Sequence, residues 1–322
     1  MAIVIDRDKI LSIVKDIDLI ADMEKGFIEY SKGNCVVPPM GEMQFKKNKG
    51  ETHIKYGYIK DGQYYVIKIA SGFYNNPQLG ISSSQGLMLL FNQKTGETEA
   101  ILLDEGYLTD IRTAAAGALA AKYFAPENIK AVGVIGTGIQ GKLQLQFLQK
   151  YKPCKEVWIW NVNKESALKY RSEMGSAFNI HIAENTAELA QHCNLIISCT
   201  PSEKALLRTK DIREGTHITA VGSDMPGKQE LEGDIMVKAD IVVSDSIAQS
   251  KSRGEIFRAA QSGFVFSKKV VELGTAIRYK HLQRISDKQI TVVDLTGVAV
   301  QDIMIARSVY LNYKQRYPIT MV

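Results

Sequence analysis

Apolar residues recur at helical spacing from residue 6 to 32, at Ile10, Ile13, Val14, Ile17, Ile20, Met23, Phe27 and Ile28. This predicts one or two amphipathic helices, stopped by Gly33-Asn34. The period then shortens. Residues 36–103 carry short β-type runs at 54–59, 64–70, 86–92 and 99–103, separated by turn residues such as Asp61-Gly62 and Thr95-Gly96. Such a pattern predicts a largely antiparallel sheet. An alanine-rich helix is expected from Thr109, as its cap, to about Ala121, with side chains small enough for another element to pack close. Beyond Pro126, apolar strands at 131–135, 156–160, 194–200, 217–221, 241–243 and 290–293 alternate with helical stretches. The strands at 194–200 and 217–221 each end in a polar loop, and residues 297–302 lead into a last helix reaching about Tyr313. The fold class is therefore α/β, a Rossmann-type doubly wound parallel sheet beside a mixed α+β N-terminal domain.

The stretch from Ile129 to Leu145 gives that second region a chemistry. An uncharged strand runs straight into Gly136-Thr137-Gly138-Ile139-Gln140-Gly141, and a helical pattern starts there. Gly136 allows the tight turn, Gly138 lets backbone approach a pyrophosphate, and Gly141 lets helix and strand pack closely. The free N–H groups of the new helix, with its positive dipole end, hold phosphates. An isolated glycine triplet of this kind is often only a turn; the strand before and the helix after favour a dinucleotide. Where an NAD enzyme often carries Asp or Glu at the end of the second strand, this chain has Asn161-Val162-Asn163-Lys164. The missing carboxylate and the nearby Lys164 lean the cofactor, NAD(P)H, toward NADPH, although Asn161 is able to bond a ribose hydroxyl. Ligands of open α/β sheets lie beyond the carboxyl ends of the strands, so Thr200-Pro201 and residues 222–228 fall where nicotinamide and substrate are expected.

Composition narrows the partners. Of 322 residues, 45% are hydrophobic and 23% charged, as in an ordinary soluble protein with room for two cores. A net charge of +5 is mild at this length, and the clusters Lys46-Lys47-x-Lys49 and Lys268-Lys269 lack aromatic interleaving, so no nucleic-acid partner is expected. Charges interrupt residues 1–8, and no uncharged apolar run approaches ~18 residues, so neither a signal peptide nor a membrane span is expected. Cys35, Cys154, Cys193 and Cys199 are scattered without metal-ligand spacing; free thiols and a cytoplasmic location fit them, and no metal is expected.

Three polar residues stand out against their surroundings. Lys68 interrupts the apolar run 64–70, either as an outward-facing edge lysine or as a cation lining a pocket. Arg112 falls near the start of the alanine-rich helix, where the dipole disfavours a cation, and so requires an anion unless it is simply a surface residue. Asp224 lies in a Pro-Gly turn and is either turn chemistry or a proton carrier.

Taken in order, Lys68, Thr109-x-x-Arg112-Thr113-Ala114-Ala115, Gly136-x-Gly138, Gly222-x-Asp224-x-Pro226-Gly227-Lys228 and Gly297-x-Ala299-x-x-Asp302 resemble the ornithine cyclodeaminase/mu-crystallin family over essentially the full length. The resemblance implies a homodimer whose N-terminal domains join their sheets. It implies a substrate-binding and dimerisation domain over residues 1–124, completed by the C-terminal helix at about 300–322. A Rossmann domain over 125–299 is inserted before that helix, with the active site in the cleft between the two. Members include ornithine and lysine cyclodeaminases, an alanine dehydrogenase, and ketimine and imino-acid reductases. All of these move a hydride between nicotinamide and the carbon of an amino or imino group; the mu-crystallin branch also includes ligand-binding and lens roles. Carried over by position, Lys68 stands near the substrate carboxylate, Arg112 pairs with it, and Asp224 is the acid/base residue. Thr113 joins Gly136 to Gly141, Asn161, Asn163, Lys164, Thr200 and Pro201 among the cofactor-binding residues.

Two departures bear on the substrate. Pro38-Pro39 is followed by Met40, where many members have an arginine. At the position where ornithine cyclodeaminase has a glutamate facing the distal amine, this chain has Lys55, next but one to His53. A cation there opposes a second ammonium, at a cost of several kcal/mol in a partly desolvated cleft by roughly the effective-dielectric estimate. Lys55 then either binds a second anionic group of the substrate or replaces the missing arginine on a single carboxylate; His53 either bonds in the same pocket or is structural. The expected activity is an NAD(P)H-dependent imine or ketimine reductase, or amino-acid dehydrogenase, acting on a small amino or imino acid. Cyclising ammonia elimination and non-catalytic ligand binding are the alternatives.

Overall fold

The computed structural model describes residues 2–265 and 270–318; the Lys268-Lys269 pair lies outside them. The chain divides into two compact units, Met1–Arg112 with Val298–Val322, and Thr113–Gly297. The sequence placed these divisions after residue 124 and at 299. The compact units meet at Arg112, inside one continuous helix, and at Gly297, and an unbroken helix leaves no compositional mark within it.

In the first unit, β1 (Ile3–Ile5), α1 (Arg7–Val14) and α2 (Leu19–Ser31) are followed by β2 (Cys35–Val36), β3 (Gly41–Phe45), β4 (Gly50–Ile59), β5 (Tyr64–Phe73), β6 (Ser84–Asn92) and β7 (Thr98–Leu102). The single helical pattern over 6–32 is thus two helices, each started by an aspartate. Asp6 accepts from the Lys9 amide at 3.0 Å and Asp18 from the Ala21 amide at 3.2 Å, satisfying donors that a helix start leaves open. The sheet runs β1-β7-β6-β5-β4-β2, with β3 also on β4. It is antiparallel except where β1 pairs parallel to β7, a strand too short to show in the sequence pattern. Period-two alternation puts Val66, Met88 and Leu90 on one face, where Ile10, Ile13, Met23 and Phe27 complete the buried core. Each such side chain contributes about 1.5–3 kcal/mol by leaving water.

The helix α3 (Tyr107–Phe124) begins in this unit. It starts two residues before Thr109, and Asp104 rather than Thr109 serves its first turn, accepting from the Leu108 amide at 2.8 Å. The unit is completed by the last helix, labelled α10 below, which covers residues 299–316 and packs on α2, β4 and β5.

The second unit alternates strand and helix: β8 (Val132–Ile135), α4 (Ile139–Leu148), β9 (Glu156–Trp160), α5 (Lys164–Met174), β10 (Asn179–Ile182), α6 (Thr186–His192), β11 (Leu195–Ser198) and β12 (His217–Ala220). It continues with α7 (Asp234–Lys238), β13 (Ile241–Ser244), α8 (Gly254–Gln261), β14 (Val270–Glu272), α9 (Leu273–Arg278) and β15 (Thr291–Asp294), before α10 (Ala299–Arg316) returns the chain to the first unit. All eight strands are parallel, in the order β10-β9-β8-β11-β12-β15-β13-β14. The two edge strands, β10 and β14, were not expected: they are short and half exposed, so they lack the apolar run that marks β8, β11 and β12. Gly141 shows why the helix–strand turn needs glycine, since a Cβ there would lie 2.2 Å from the Gly136 carbonyl oxygen and 3.3 Å from Val134. Among the described residues no helix is long and apolar enough to cross a membrane.

Candidate active site

In the first unit, β4 and β5 pair so that Lys55 stands directly across from Lys68, with His53 across from Ala70 on the same face. β5 is a central strand, so the edge-lysine reading of Lys68 fails: its side chain is 2% exposed, and Lys55 is 6% exposed. Two buried ammonium groups side by side require an anion. It comes from α10, where Asp302 places one carboxylate oxygen 3.3 Å from Lys68 Nζ and the other 3.1 Å from Arg112 Nε. Arg112, in the second turn of α3 rather than the first, finds there the anion that its position called for. Gln301 fixes the same arginine twice, accepting from Nη1 at 3.4 Å and donating to the Arg112 carbonyl at 3.3 Å.

One carboxylate thus serves two cations, with a third beside them. Arg112 Nη2 has no hydrogen-bond partner among the described residues, and Asp302 is the one ion-pair partner of Lys68. The lysine registers this excess. Burial first, then Arg112 and Lys55, push it down to about 7 against the pull of Asp302. Such a group gains from a further anion, and a planar guanidinium with one edge open suits a carboxylate.

In the second unit the glycine loop has the shape a dinucleotide requires. Gly136 takes φ +103°, open to glycine, and a Cβ there would meet the Cys199 carbonyl at 2.8 Å; a Cβ on Gly138 would meet nothing within 4 Å, so that side of the loop is open space. Gly136, Thr137, Gly138, Trp160, Asn161, Cys199, Thr200 and Pro201 are among the residues lining one cavity of about 420 Å³. These residues fit a nicotinamide dinucleotide. Ile139 and Gln140 open α4 with their first-turn amides, and Gln144 of that helix donates to the Thr113 carbonyl at 3.1 Å and to Gln140 at 3.4 Å. Asn161 donates to Thr137 Oγ1 at 2.7 Å and accepts from the Asn163 amide at 2.8 Å; Asn163 caps α5, whose first residue is the exposed Lys164. Both asparagines are therefore engaged in shaping the loop.

Asp224 belongs to this unit, in the turn after β12, where Lys228 Nζ holds its Oδ1 at 2.8 Å and the Ser223 hydroxyl closes the turn onto the Lys228 carbonyl. The structure brings together Lys55, Lys68 and Arg112 in one unit, and the loop, Asn161, Thr200 and Pro201 in the other. Sequence reading placed Asp302 in the family motif but gave neither it nor Gln301 a site role, since an acid in the first turn of a helix reads as a dipole partner. It also missed Glu230, a buried carboxylate accepting from Thr200 and Gly222. Burial pushes Glu230 up to about 7 against those hydrogen bonds, and pushes Glu255 well above the usual carboxylate range, with Glu230 and Asp294 adding to it. Among the described residues no three His, Cys, Asp or Glu side chains are grouped to hold a metal.

The model of the ornithine cyclodeaminase/mu-crystallin family matches residues 4–316. A protein of Sinorhizobium fredii named as an uncharacterized cyclodeaminase is 33% identical over 305 residues, covering 94% of this chain and 92% of that protein. Alanine dehydrogenase of Archaeoglobus fulgidus is 33% identical over 96% of this chain and 94% of its own, and iminosuccinate reductase of Paracoccus denitrificans 33% identical over 77% and 78%. Among solved structures, an archaeal alanine dehydrogenase dimer with bound NAD superposes with a TM-score of 0.87 at 31% identity, covering 98% of this chain and 97% of that one. Thermococcus litoralis Δ1-pyrroline-2-carboxylate reductase, solved with NADH and L-proline, gives 0.90 at 25% identity, covering 98% of each chain.

The depressed lysine sets a stability prediction. The unfolded chain keeps a proton on Lys68 up to pH about 10.5, while the folded chain releases it near 7. Between those values the unfolded state binds more protons, so the contribution is full above the upper value and lost as pH falls through 7, with a slope of up to about 1.4 kcal/mol per pH unit. Urea midpoints from pH 7 to 9 are expected to rise in the wild type relative to Lys68→Met. Parallel curves for the two proteins contradict the assignment.

Proposed function

Because the chain belongs to the ornithine cyclodeaminase/mu-crystallin family, we propose that it is an NAD(P)H-dependent reductase of small α-imino acids, running in reverse as an amino-acid dehydrogenase. The observation that carries this reading is the cation cluster: Lys68 and Arg112 share the single carboxylate of Asp302, and one edge of the guanidinium remains open. Arg112 Nη2 and Lys68 Nζ bind and orient the substrate carboxylate. A nicotinamide dinucleotide held by the Gly136–Gly141 loop with Asn161, Thr200 and Pro201 would supply the hydride for the imino carbon. Asp224, oriented by Lys228, gives the proton to nitrogen in reduction and takes it back in oxidation, so the C=N bond becomes C–N with charge balanced. Relatives named as iminosuccinate reductase, pyrroline-2-carboxylate reductase and alanine dehydrogenase support this class of reaction.

Lys55 sharpens the substrate. With Lys68 and Arg112 already around Asp302, a third buried cation suits a second carboxylate, which makes an α-imino dicarboxylate the preferred substrate in this reading. The same lysine disfavours the distal ammonium of ornithine or lysine, and so opposes cyclodeamination. For the cofactor, the end of β9 carries no acid for ribose hydroxyls and Lys164 follows it at the start of α5, which leans the reading to NADPH; the solved relatives hold NAD or NADH.

The free sheet face supports a second copy of this chain as partner. Tyr56, Tyr58, Tyr65 and Ile67 point away from the core and, with Val36 and Pro38, line an apolar depression of about 510 Å³; Tyr65 stacks on Phe91 at 4.7 Å. A large, half-buried aromatic face of this kind is what a homodimer covers, and the archaeal relative is a dimer.

Steady-state oxidation of NADH and NADPH with oxaloacetate plus ammonia, pyruvate plus ammonia or methylamine, and cyclic imino acids tests the reading. Turnover is expected, highest with the dicarboxylate. Asp224→Asn is expected to lose at least about 10²-fold in kcat with the dinucleotide still bound, and Lys55→Glu to abolish the dicarboxylate preference. No turnover with any of these, or ammonia released from ornithine without net oxidation of cofactor, overturns it. Sedimentation equilibrium is expected to give a dimer that Ile67→Lys dissociates; a wild-type monomer contradicts the partner assignment.

A further inference from the structure

Two loops leave the carboxyl ends of adjacent strands in the second unit. The loop after β11 carries Thr200, Pro201 and Ser202 along one wall of the dinucleotide cavity. The turn after β12 carries Gly222 and, two residues on, Asp224. The strand ladder ends at Ser198 and Ala220, followed by one backbone bond from the Val221 amide to Ser198, and backbone joins the two segments again only at the Gln229 amide and the Ser202 carbonyl, 2.7 Å apart. Between these points, at Thr200 and Gly222, the link is a side chain. Glu230 Oε1 accepts from the Thr200 amide at 2.6 Å and from the Thr200 hydroxyl at 2.8 Å, while Oε2 accepts from the Gly222 amide at 2.9 Å.

Glu230 is wholly buried, and its own backbone is held on both sides. Its amide and that of Leu231 donate to Glu255 at 2.7 and 3.1 Å, and its carbonyl accepts from the Leu206 and Leu207 amides at 2.7 and 3.1 Å. Gly222 leaves no room for a looser arrangement, because a Cβ there would lie 2.2 Å from the Thr200 carbonyl oxygen and 2.6 Å from Glu230 Oε2. Burying a carboxylate is costly, and an apolar contact would join two loops at lower cost. A carboxylate with three convergent donors sets distance and direction at once, which apolar packing does not.

We infer that Glu230 is a positioning residue that locks the wall of the dinucleotide cavity to the turn carrying Asp224, so that the proton carrier and the redox cofactor keep one fixed spacing. The inference rests on the roles proposed above for that cavity and for Asp224. Glu230 touches neither substrate nor cofactor in this reading; it acts through Thr200 and Gly222.

The test is Glu230→Gln in the full chain, with Thr200→Val as the milder variant. Glutamine keeps the volume but turns one acceptor into a donor facing an N–H, so one of the two loops is released; Thr200→Val removes only the hydroxyl bond. In the apo protein, hydrogen exchange of the peptides spanning Thr200 and Gly222 is expected to speed up about tenfold or more, as loss of a charged hydrogen bond implies, while β8 and β9 keep wild-type protection. NADH binding, read by fluorescence titration, is expected to weaken. kcat is expected to fall about tenfold, and the deuterium isotope effect from 4-deuterated cofactor to rise, because hydride transfer becomes the slow step. Lower thermal stability with exchange at both loops, kcat and isotope effect unchanged overturns the inference and leaves Glu230 a fold residue. If Glu230→Gln does not fold, Thr200→Val decides: the same shifts at smaller size support the inference, and none overturns it. A wild type inactive with every imino acid counts against the proposed reaction alone, since the exchange and titration arms still judge the lock.

Discussion

One buried carboxylate carries the first unit's chemistry. Asp302 lies between an ammonium from the middle of a sheet and a guanidinium from a helix, and each of the three side chains is at most 5% exposed. Removing Asp302 would leave buried cations facing one another, which typically costs 3–5 kcal/mol. With it in place, Lys68 and Arg112 share one carboxylate, and Lys55 stands across the ladder from Lys68. An anion arriving there meets two cations that share a single acid in a place shielded from water. The arrangement also accounts for the return of the chain: α10 belongs to the first unit although the whole parallel sheet precedes it in sequence, and it brings Asp302 and Gln301 to Arg112.

The second unit solves a different problem. Its glycines remove side chains where backbone must approach a phosphate or another strand, and its asparagines close the loop at the end of β9. The same unit buries Glu230, Glu255 and Asp294, and burial pushes each of them upward. Glu255 is pushed further by both of the others, and each of its oxygens accepts from a backbone amide, while Glu230 accepts from Thr200 and Gly222.

Much of this was legible in the sequence, and for identifiable reasons. The loop at Gly136–Gly141 declared itself because strand, glycines and helix are consecutive. Lys68 and Arg112 declared themselves because each is a charge where the local pattern disfavours one. The second lysine needed the register: residues 55 and 68 face each other only because the β4–β5 hairpin pairs as it does. The role of Asp302, legible only as a member of the family motif, and Glu230 itself were hidden for the opposite reason, since each sits where its type is ordinary, in a helix first turn and after a Pro-Gly turn, and its significance lies in distant partners. The edges of the parallel sheet and the start of α3 at Tyr107 escaped because short, half-solvated strands and a cap supplied by Asp104 leave faint traces.

The claim beneath the whole account is that the cluster of Lys55, Lys68, Arg112 and Asp302 is built to receive an anion. Calorimetric titration of a non-reacting dicarboxylate such as succinate, into the dinucleotide-loaded protein at pH 8 in buffers of differing ionisation enthalpy, reads this directly. With Lys68 near 7 in the free protein, binding is predicted to take up most of a proton, and Lys68→Met to abolish that uptake. Absence of binding, or a heat that does not depend on the buffer, would contradict the account.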